Sequence, residues 1–242
     1  MIRPAPTTAM LLAAGLGTRM RPVSNHTPKP LVRVGGKTLL DWALDIAIDA
    51  GVTRAVVNVH HLGDQIVAHM NARTTPEIVI SDETAQLLDT GGGIVKAMPL
   101  LGDEPFVVMN TDGILVASNE TPLARLFAHW TDAVDCVMLV HPRAIAHGFD
   151  GTGDFFVDAD GTMRRRGTAA SAPYVYAGAY VIDPKIFANA PQGAFSANKI
   201  WDRLLAAGRM KAVIHDGAWF HVGTPDAIAP TEAALAAKGT AQ

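Results

Sequence analysis

The chain has 242 residues, 49% of them apolar and 18% charged, which is enough to bury one substantial core or two small ones. Its 20 Lys and Arg residues nearly balance its 23 Asp and Glu residues, and a formal charge of -3 argues against a nucleic-acid-binding surface. No apolar run reaches the roughly 18 residues of a membrane span. The single cysteine, Cys136, cannot form an internal disulfide and lies in an apolar run typical of a buried strand. We therefore expect a soluble, cytoplasmic protein with no membrane partner.

The first half of the chain alternates between strand and helix patterns. The apolar run at residues 9–16 lacks the cleavage site of a signal peptide and predicts a buried first strand that feeds a glycine loop. Further strands are predicted at residues 55–59, 77–81, 106–109 and 135–140. Helices are predicted at residues 39–50, 63–71, 90–98, with Thr90 as N-cap, and 121–130. Connections of this length join parallel strands.

The pattern changes after residue 140. Residues 155–157 and 174–182 predict strands of a hairpin or meander around a turn at 158–161, and helices are predicted at 198–207 and 224–238. The fold class expected is α/β, with a Rossmann-like, mixed but mostly parallel sheet flanked by helices and a small β-rich elaboration in the C-terminal half. No repeat or linker interrupts the sequence, so residues 1–242 are expected to form one domain.

A glycine loop without acidic neighbours follows the first strand. Residues 1–40 contain six basic residues and no acid, and Gly15 and Gly17 let the backbone turn sharply close to a ligand. The loop does not match a dinucleotide fingerprint, because Met20 stands where the third glycine belongs, and no Gly-Lys-Ser/Thr makes it a P-loop. Arg19 can bind phosphate oxygens with two hydrogen bonds, and Lys29 adds a compact charge. The alternative is a basic surface loop.

Asp112 lies just after the predicted strand at residues 106–109, separated from it by Asn110 and Thr111. The carboxyl edge of a parallel sheet is where ligands of α/β proteins collect, and a carboxylate oxygen suits Mg²⁺. The alternative is a turn or capping residue beside Gly113.

Several strings together resemble the sugar-1-phosphate nucleotidyltransferases. The signature of that family is a Gly-x-Gly-Thr-Arg loop followed by a Pro-Lys-Pro segment, which residues 15–19 and 28–30 match. Later strings are most similar to the branch that acts on N-acetylmuramate 1-phosphate in peptidoglycan recycling. These strings are residues 88–94, 153–155, 176–178 and 219–224.

The resemblance implies transfer of UMP from UTP to a sugar 1-phosphate, preferably N-acetylmuramate 1-phosphate, with release of pyrophosphate. Residues 1–140 would form the nucleotide-binding half and residues 141–242 the sugar-phosphate-binding half. A sugar phosphate has a second pKa of roughly 6 and needs no general base. Guanylyl or thymidylyl transfer to a hexose or heptose 1-phosphate is one alternative. A regulatory module that binds nucleotide or sugar without catalysis is another.

The resemblance also assigns roles to individual residues. Arg19 is expected at the β- and γ-phosphates, Lys29 at the α-phosphate or the sugar phosphate, and Asp112 at a catalytic Mg²⁺. The residues expected to contact the nucleotide are Ala13, Ala14, Gly15, Gly17, Thr18, Glu83, Gly91 and Gly92. Successive glycines leave room for a base or ribose, and the helix that follows them offers free N–H groups. The residues expected to contact the sugar are Asn110, Asp154 and Gly178.

His221 departs from the family pattern, in which a second Asp shares the metal. Imidazole suits Mn²⁺ or Zn²⁺ better than Mg²⁺. Three hypotheses follow: His221 ligates a softer metal such as Mn²⁺, it holds a metal-bound water or a phosphate oxygen, or catalysis is weakened and the protein is a sensor. We expect the metal to depend mainly on Asp112, the nucleotide phosphates and water. The absence of Glu between residues 160 and 175 favours the muramate branch over the glucose type.

Overall fold

A central sheet of nine strands organises the molecule in a computed structural model, which describes residues 1–239. The strands are β1 (Thr8–Leu12), β2 (Arg33–Val34), β3 (Lys37–Thr38), β4 (Arg54–Val59), β5 (Glu77–Asp82), β6 (Phe106–Asn110), β7 (Gly113–Val116), β8 (Cys136–Pro142), β9 (Phe155–Val157), β10 (Met163–Arg165), β11 (Tyr174–Ile182), β12 (Met210–Ile214) and β13 (Ala218–His221). The helices are α1 (Leu39–Asp49), α2 (Gly63–Asn71), α3 (Asp89–Leu101), α4 (Pro122–Ala128), α5 (Asn198–Ala206) and α6 (Ile228–Ala237).

The sheet combines a parallel half with an antiparallel insertion. Its order is β10-β9-β11-β6-β1-β4-β5, with β8 pairing the other edge of β11 and β12 pairing β8. The pairs among β6, β1, β4 and β5 are parallel, whereas β11 runs antiparallel to β6, β8 and β9. Two small sheets, β7 with β13 and β2 with β3, lie outside it. The predicted Rossmann-like, mostly parallel α/β class is therefore confirmed.

Both faces of the sheet are covered, as the alternation of side chains along β1 shows. Ala9 and Leu11 pack into one core with residues of α1, α2 and α4, whereas Met10 packs into another with residues of α3 and α5. Continuous apolar strands of this kind are typical of parallel sheets that are buried on both faces. Cys136 is buried at the start of β8, as its apolar context predicts.

Strand β11 leaves a gap in the ladder. On the edge that faces β6 and β9, it pairs with β6 through residues 179–182 and with β9 only at Tyr174. The pairing with β8 shifts register between Tyr176 and Tyr180, and Gly178, with φ +90°, lies inside this bulge. On this edge, residues 175–178 of β11 pair with neither β6 nor β9 and can therefore line a cavity at the end of β6.

Several element predictions need correction. The strand at residues 135–140 was expected to continue the doubly wound half, but β8 pairs with β11 and β12 and not with β6. Strands β7, β10, β12 and β13 were not predicted, since runs of three to five residues carry little periodicity. The predicted helix at 224–238 begins with a 3-10 turn at Pro225–Ala227 before α6.

The start of α3 also differs from the prediction. Thr90 is not the N-cap, because the helix begins at Asp89 after Leu88 and the Thr90 hydroxyl accepts a hydrogen bond from the Ala197 N–H at 2.9 Å. The helix continues past residue 98 to Leu101, with Pro99 in its last turn. Within residues 1–239, no helix has the length and hydropathy needed to cross a membrane.

Candidate active site

A cavity of about 510 Å³ opens where the parallel strands β1, β4 and β6 end, and we call it the main cavity. Ligands of α/β proteins bind at this edge of the sheet. The structure brings nine of the residues predicted from sequence to its wall. They are Ala14, Gly15, Gly17, Thr18, Arg19, Lys29, Glu83, Asn110 and Asp112.

The turn after β1 holds the two cations on one side of the main cavity. Gly17 has φ +60°, and a Cβ there would lie 3.1 Å from the Cβ of Lys29. The Gly17 carbonyl accepts hydrogen bonds from the Met20 N–H and the Ser24 hydroxyl, both at 2.8 Å. Glycine is therefore required by the conformation and by the close contact with Lys29. The short 3-10 turn that follows carries Arg19.

Asp112 contacts Lys29 directly in the wall of the main cavity. Its Oδ2 lies 3.1 Å from the Lys29 Nζ, and the Thr111 hydroxyl ties the end of β6 to β1 through a 2.8 Å bond to the Leu12 carbonyl. Burial alone would raise the pKa of Asp112, but the charge of Lys29, the protonated form that His221 takes in acid, the hydrogen bond from Lys29 and the charge of Arg19 outweigh it, so the pKa lies below its usual value. Asp112 is thus ionised at neutral pH.

Arg19 differs from Lys29 in that its side chain is neither hydrogen-bonded nor ion-paired to another side chain in the described part of the chain. Its guanidinium makes no side-chain hydrogen bond or ion pair with any residue in the range 1–239. An arginine that lines a cavity with all its donors free is ready to bind an anion.

A buried polar relay supports the floor of the main cavity. The fully buried Glu83 accepts a 2.7 Å hydrogen bond from the Asn58 amide, and the Asn58 Oδ1 accepts a 2.7 Å bond from the Ala13 N–H. Ala13 was expected to contact the nucleotide, but it is buried and its N–H is occupied. Asn58 was not predicted as a site residue. The feature that could have indicated it is its amide side chain within the apolar run of β4.

Gly91 and Gly92 do not line the main cavity, which contradicts the prediction of free N–H groups there. Both N–H groups donate to the Phe195 carbonyl, at 2.8 and 3.0 Å. A Cβ on Gly91 would lie 2.3 Å from the Phe195 ring, and one on Gly92 would lie 2.3 Å from the Gly193 carbonyl oxygen. These glycines are therefore needed for close packing of α3 against the 193–195 segment, since a side chain would not fit.

A second cavity of about 160 Å³ adjoins the first at Asn110 and Asp112. It contains Asp154 and Gly178, both predicted as sugar contacts, at the gap in the β11 ladder. The Asp154 Oδ2 accepts a 3.0 Å hydrogen bond from the Tyr176 N–H, which fixes the carboxylate beside β11.

His221 borders the second cavity together with Asp112. It ends β13, and its N–H donates to the His147 carbonyl at 2.8 Å. The ring packs near Trp219 and Phe149, with centroid distances of 5.8 and 6.3 Å. Burial lowers the pKa of His221, so the imidazole is neutral at pH 7.

The side chains around Asp112 suit a metal that arrives with phosphates. Within residues 1–239, no three His, Cys, Asp or Glu side chains form a group that could hold a metal ion. Mg²⁺ is usually bound by one or two carboxylates together with substrate phosphates and water. The ionised Asp112, with the neutral His221 nearby, fits that partial ligand set but would not form a complete cage.

A third cavity of about 270 Å³ lies between β10, β11 and α5. It shares Asn110 with both other cavities and Asp154 with the second. Arg165, from the hairpin formed by β9 and β10, lines it together with Trp201. This cavity was not predicted, because its walls come from segments far apart in the chain.

The chain matches the family model described as MobA-like NTP transferase domain over residues 9–212. It is 45% identical over 237 residues to N-acetylmuramate alpha-1-phosphate uridylyltransferase of Caulobacter vibrioides, covering 96% of this chain and 98% of that protein. It is 33% identical over 221 residues to the protein of the same name from Neisseria meningitidis serogroup B, covering 89% and 93%.

Solved structures show the same fold at low sequence identity. UDP-glucose pyrophosphorylase from Acinetobacter baumanii superposes with a TM-score of 0.80 and 18% identity, covering 96% of this chain and 94% of that one. The inositol-1-phosphate CTP transferase from T. maritima superposes with a TM-score of 0.77 and 18% identity, covering 93% and 92%.

Proposed function

Since the chain belongs to the family with a MobA-like NTP transferase domain, we propose that it transfers UMP from UTP to N-acetylmuramate α-1-phosphate. The products are UDP-N-acetylmuramate and pyrophosphate. The observation that carries the proposal is the convergence of Arg19, Lys29 and Asp112 on one cavity at the carboxyl edge of the sheet. The 45% identity to a uridylyltransferase of that name supports the choice of substrates.

The reaction is a displacement at phosphorus. An oxygen of the sugar phosphate forms a bond to the α-phosphorus of UTP, and the bond between that phosphorus and the bridging oxygen to the β-phosphate breaks. The sugar phosphate is largely dianionic at neutral pH, so no side chain needs to remove a proton. Two unit charges 4 Å apart repel by about 4 kcal/mol at an effective dielectric constant of 20. The protein's task is therefore positioning and charge neutralisation.

Arg19 and Lys29 divide that task. Arg19, whose donors are free, binds the β- and γ-phosphates and stabilises the departing pyrophosphate. Lys29 neutralises the α-phosphate or the incoming sugar phosphate, and its 3.1 Å contact with Asp112 holds it at the cavity until substrate arrives. Asp112 would hold a Mg²⁺ ion, which supplies further charge neutralisation at the phosphates when bound.

The remaining residues position the two substrates. The relay from Glu83 through Asn58 holds the turn at Ala14 and Gly15, whose backbone faces the uridine. Asn110, Asp154 and Gly178 line the second cavity, which adjoins the first at Asn110, and they contact the sugar. The neutral imidazole of His221 orients a water or a phosphate oxygen beside Asp112. Mn²⁺ would serve in place of Mg²⁺ at such a site.

The buried thiol of Cys136 is compatible with the reducing cytoplasm as the place of this reaction.

Pyrophosphate release from a panel of substrates tests the proposal. UTP, CTP, GTP and dTTP are each combined with N-acetylmuramate, N-acetylglucosamine, glucose and mannose 1-phosphates, in Mg²⁺ and in Mn²⁺. We expect the highest kcat/KM for UTP with N-acetylmuramate 1-phosphate. A preference for GTP or dTTP with a hexose phosphate would support the other transfer reactions. Tight binding of UTP without turnover in either metal would support a regulatory module.

A further inference from the structure

The third cavity has a charge pattern that the proposed chemistry leaves unexplained. Its acidic residues, Asp89 and Asp154, lie where it joins the main and second cavities. The part that belongs to the third cavity alone contains no acid and carries the cation Arg165 beside Trp201. An anionic group on a ligand would therefore be repelled at the shared end, whereas at the far end it would meet Arg165, whose ion pair with Asp202 leaves part of the guanidinium free.

Arg165 is held in a fixed orientation. Its Nε donates to the Asp202 Oδ1 at 2.8 Å, and its Nη2 donates to the Asn198 Oδ1 at 2.8 Å. The guanidinium also lies 4.9 Å from the centre of the Phe155 ring and 5.6 Å from that of Trp201. Its Nη1 donates no hydrogen bond within residues 1–239. A restrained guanidinium with one nitrogen free loses little entropy when it binds a further acceptor.

A buried hydroxyl supplies a second, independent sign of a ligand. Tyr176 lines both this cavity and the second one, and its hydroxyl is buried and has no hydrogen-bond partner within residues 1–239. A buried hydroxyl without a partner is costly, and such a group is commonly satisfied by a ligand or ordered water. Burial also raises the pKa of Tyr176 well above its usual value, so the group remains a hydrogen-bond donor.

We propose that the third cavity binds an acidic substituent of the sugar, with Arg165 binding its carboxylate and the Tyr176 hydroxyl donating to the same substituent. The inference rests on the proposed function, because N-acetylmuramate differs from N-acetylglucosamine by a lactyl ether that ends in a carboxylate. Arg165 is thereby a specificity-determining residue, and the reacting phosphate lies beyond Asn110 in the main cavity.

The test compares two sugars that differ only in the lactyl group. We measure kcat/KM with UTP for N-acetylmuramate and N-acetylglucosamine 1-phosphates, in wild type, Arg165→Gln and the matched control Arg164→Gln. Arg164 stacks on the exposed side of the hairpin, 3.9 Å from the Phe156 ring, and does not line the cavity. The ratio of the two kcat/KM values should fall about 10- to 100-fold in Arg165→Gln, mainly through KM, and stay unchanged in Arg164→Gln.

Failure of this inference is distinguishable from failure of the proposed function. If wild type prefers the muramate compound and Arg165→Gln keeps the full preference, Arg165 does not bind the carboxylate and the proposed function stands. If wild type shows no preference for the muramate compound, the proposed sugar substrate is wrong, and this inference falls with it.

A second variant covers the case in which Arg165→Gln unfolds, which a thermal melt would reveal. Tyr176→Phe removes only a hydroxyl that has no partner, so the fold should tolerate it. We expect the sugar preference of Tyr176→Phe to fall about 3- to 10-fold. An unchanged preference in this variant would overturn the inference.

Discussion

The main cavity and the third cavity are built in different ways. The main cavity takes its two cations from one continuous stretch after β1 and the carboxylate that contacts Lys29, that of Asp112, from the end of the neighbouring strand β6. The third cavity takes its walls from a hairpin, a bulged strand and a helix that are distant in the chain. In the proposed function, the main cavity provides what any nucleoside triphosphate requires, whereas the third cavity sets which sugar is accepted. Substitutions should therefore separate turnover from sugar preference.

The largest effect is expected at Asp112, which belongs to the chemistry common to all sugars. Asp112→Asn removes the charge that would hold Mg²⁺ and should lower kcat by about 1,000-fold, because charge stabilisation at a transferring phosphoryl group is worth several kcal/mol. Pyrophosphate release measures it. The preference between the two sugars should survive in the residual activity. A variant within tenfold of wild type would show that Asp112 is not the metal ligand.

The next largest effect is expected at Arg19. Arg19→Gln should lower kcat/KM for UTP about 100-fold, because charged hydrogen bonds to phosphate contribute roughly 1.5–3 kcal/mol. Arg21→Gln is the matched control, since Arg21 carries the same charge two residues away but does not line the cavity. Steady-state kinetics with UTP varied would measure both. Equal losses in the two variants would indicate a general field effect instead of a specific contact.

A smaller effect is expected in the relay beneath the main cavity. A Cβ at Gly93 would lie 2.6 Å from the Glu83 Oε1, so Gly93→Ala should displace Glu83 and, through Asn58, the turn at Ala13. Overpacking of this kind costs about 1–3 kcal/mol of folding free energy. We expect a lower Tm and a KM for UTP raised about tenfold. If both values match wild type, the relay does not position the turn.

The smallest effect on activity is expected at Asp135, which lines none of the three cavities. Hydrogen bonds from Arg209, at 2.9 Å to each oxygen, and the nearby Lys185 lower the pKa of Asp135 to about 2, against the opposing effect of burial. Because the folded-state pKa lies below the usual 3.8, the stabilisation is complete above that value and is lost as the pH falls towards 2.

Protonation of Asp135 lowers the free energy of unfolding by about 2 kcal/mol. Denaturant titrations between pH 5 and pH 2 would measure it, with Asp135→Asn as the comparison. The variant should lose this pH dependence while retaining wild-type kcat and sugar preference at pH 7. A wild-type stability that is flat across this range would contradict the assigned ion pairs.

The sequence located the parts of the site that are local in the chain. Arg19 and Lys29 belong to one motif, and Asp112 directly follows a strand, so their meeting at the sheet edge followed from parallel topology. The free N–H groups expected at Gly91 and Gly92 are not found, because a glycine required for packing and a glycine required for a ligand look alike in sequence. Asn58 and Arg165 depend on partners distant in the chain, which no local pattern reveals.

The gap in the β11 ladder has an evolutionary consequence. The hairpin of β9 and β10 pairs with β11 only at Tyr174 and Phe155, and its turn bridges to β12 through Thr162 and Lys211. Neither attachment involves β1 or β6, so substitutions in the hairpin can reshape the third cavity while leaving the strands that lead to the glycine turn and Asp112 in place. A fold arranged in this way can diversify its products while keeping one way of activating nucleotides.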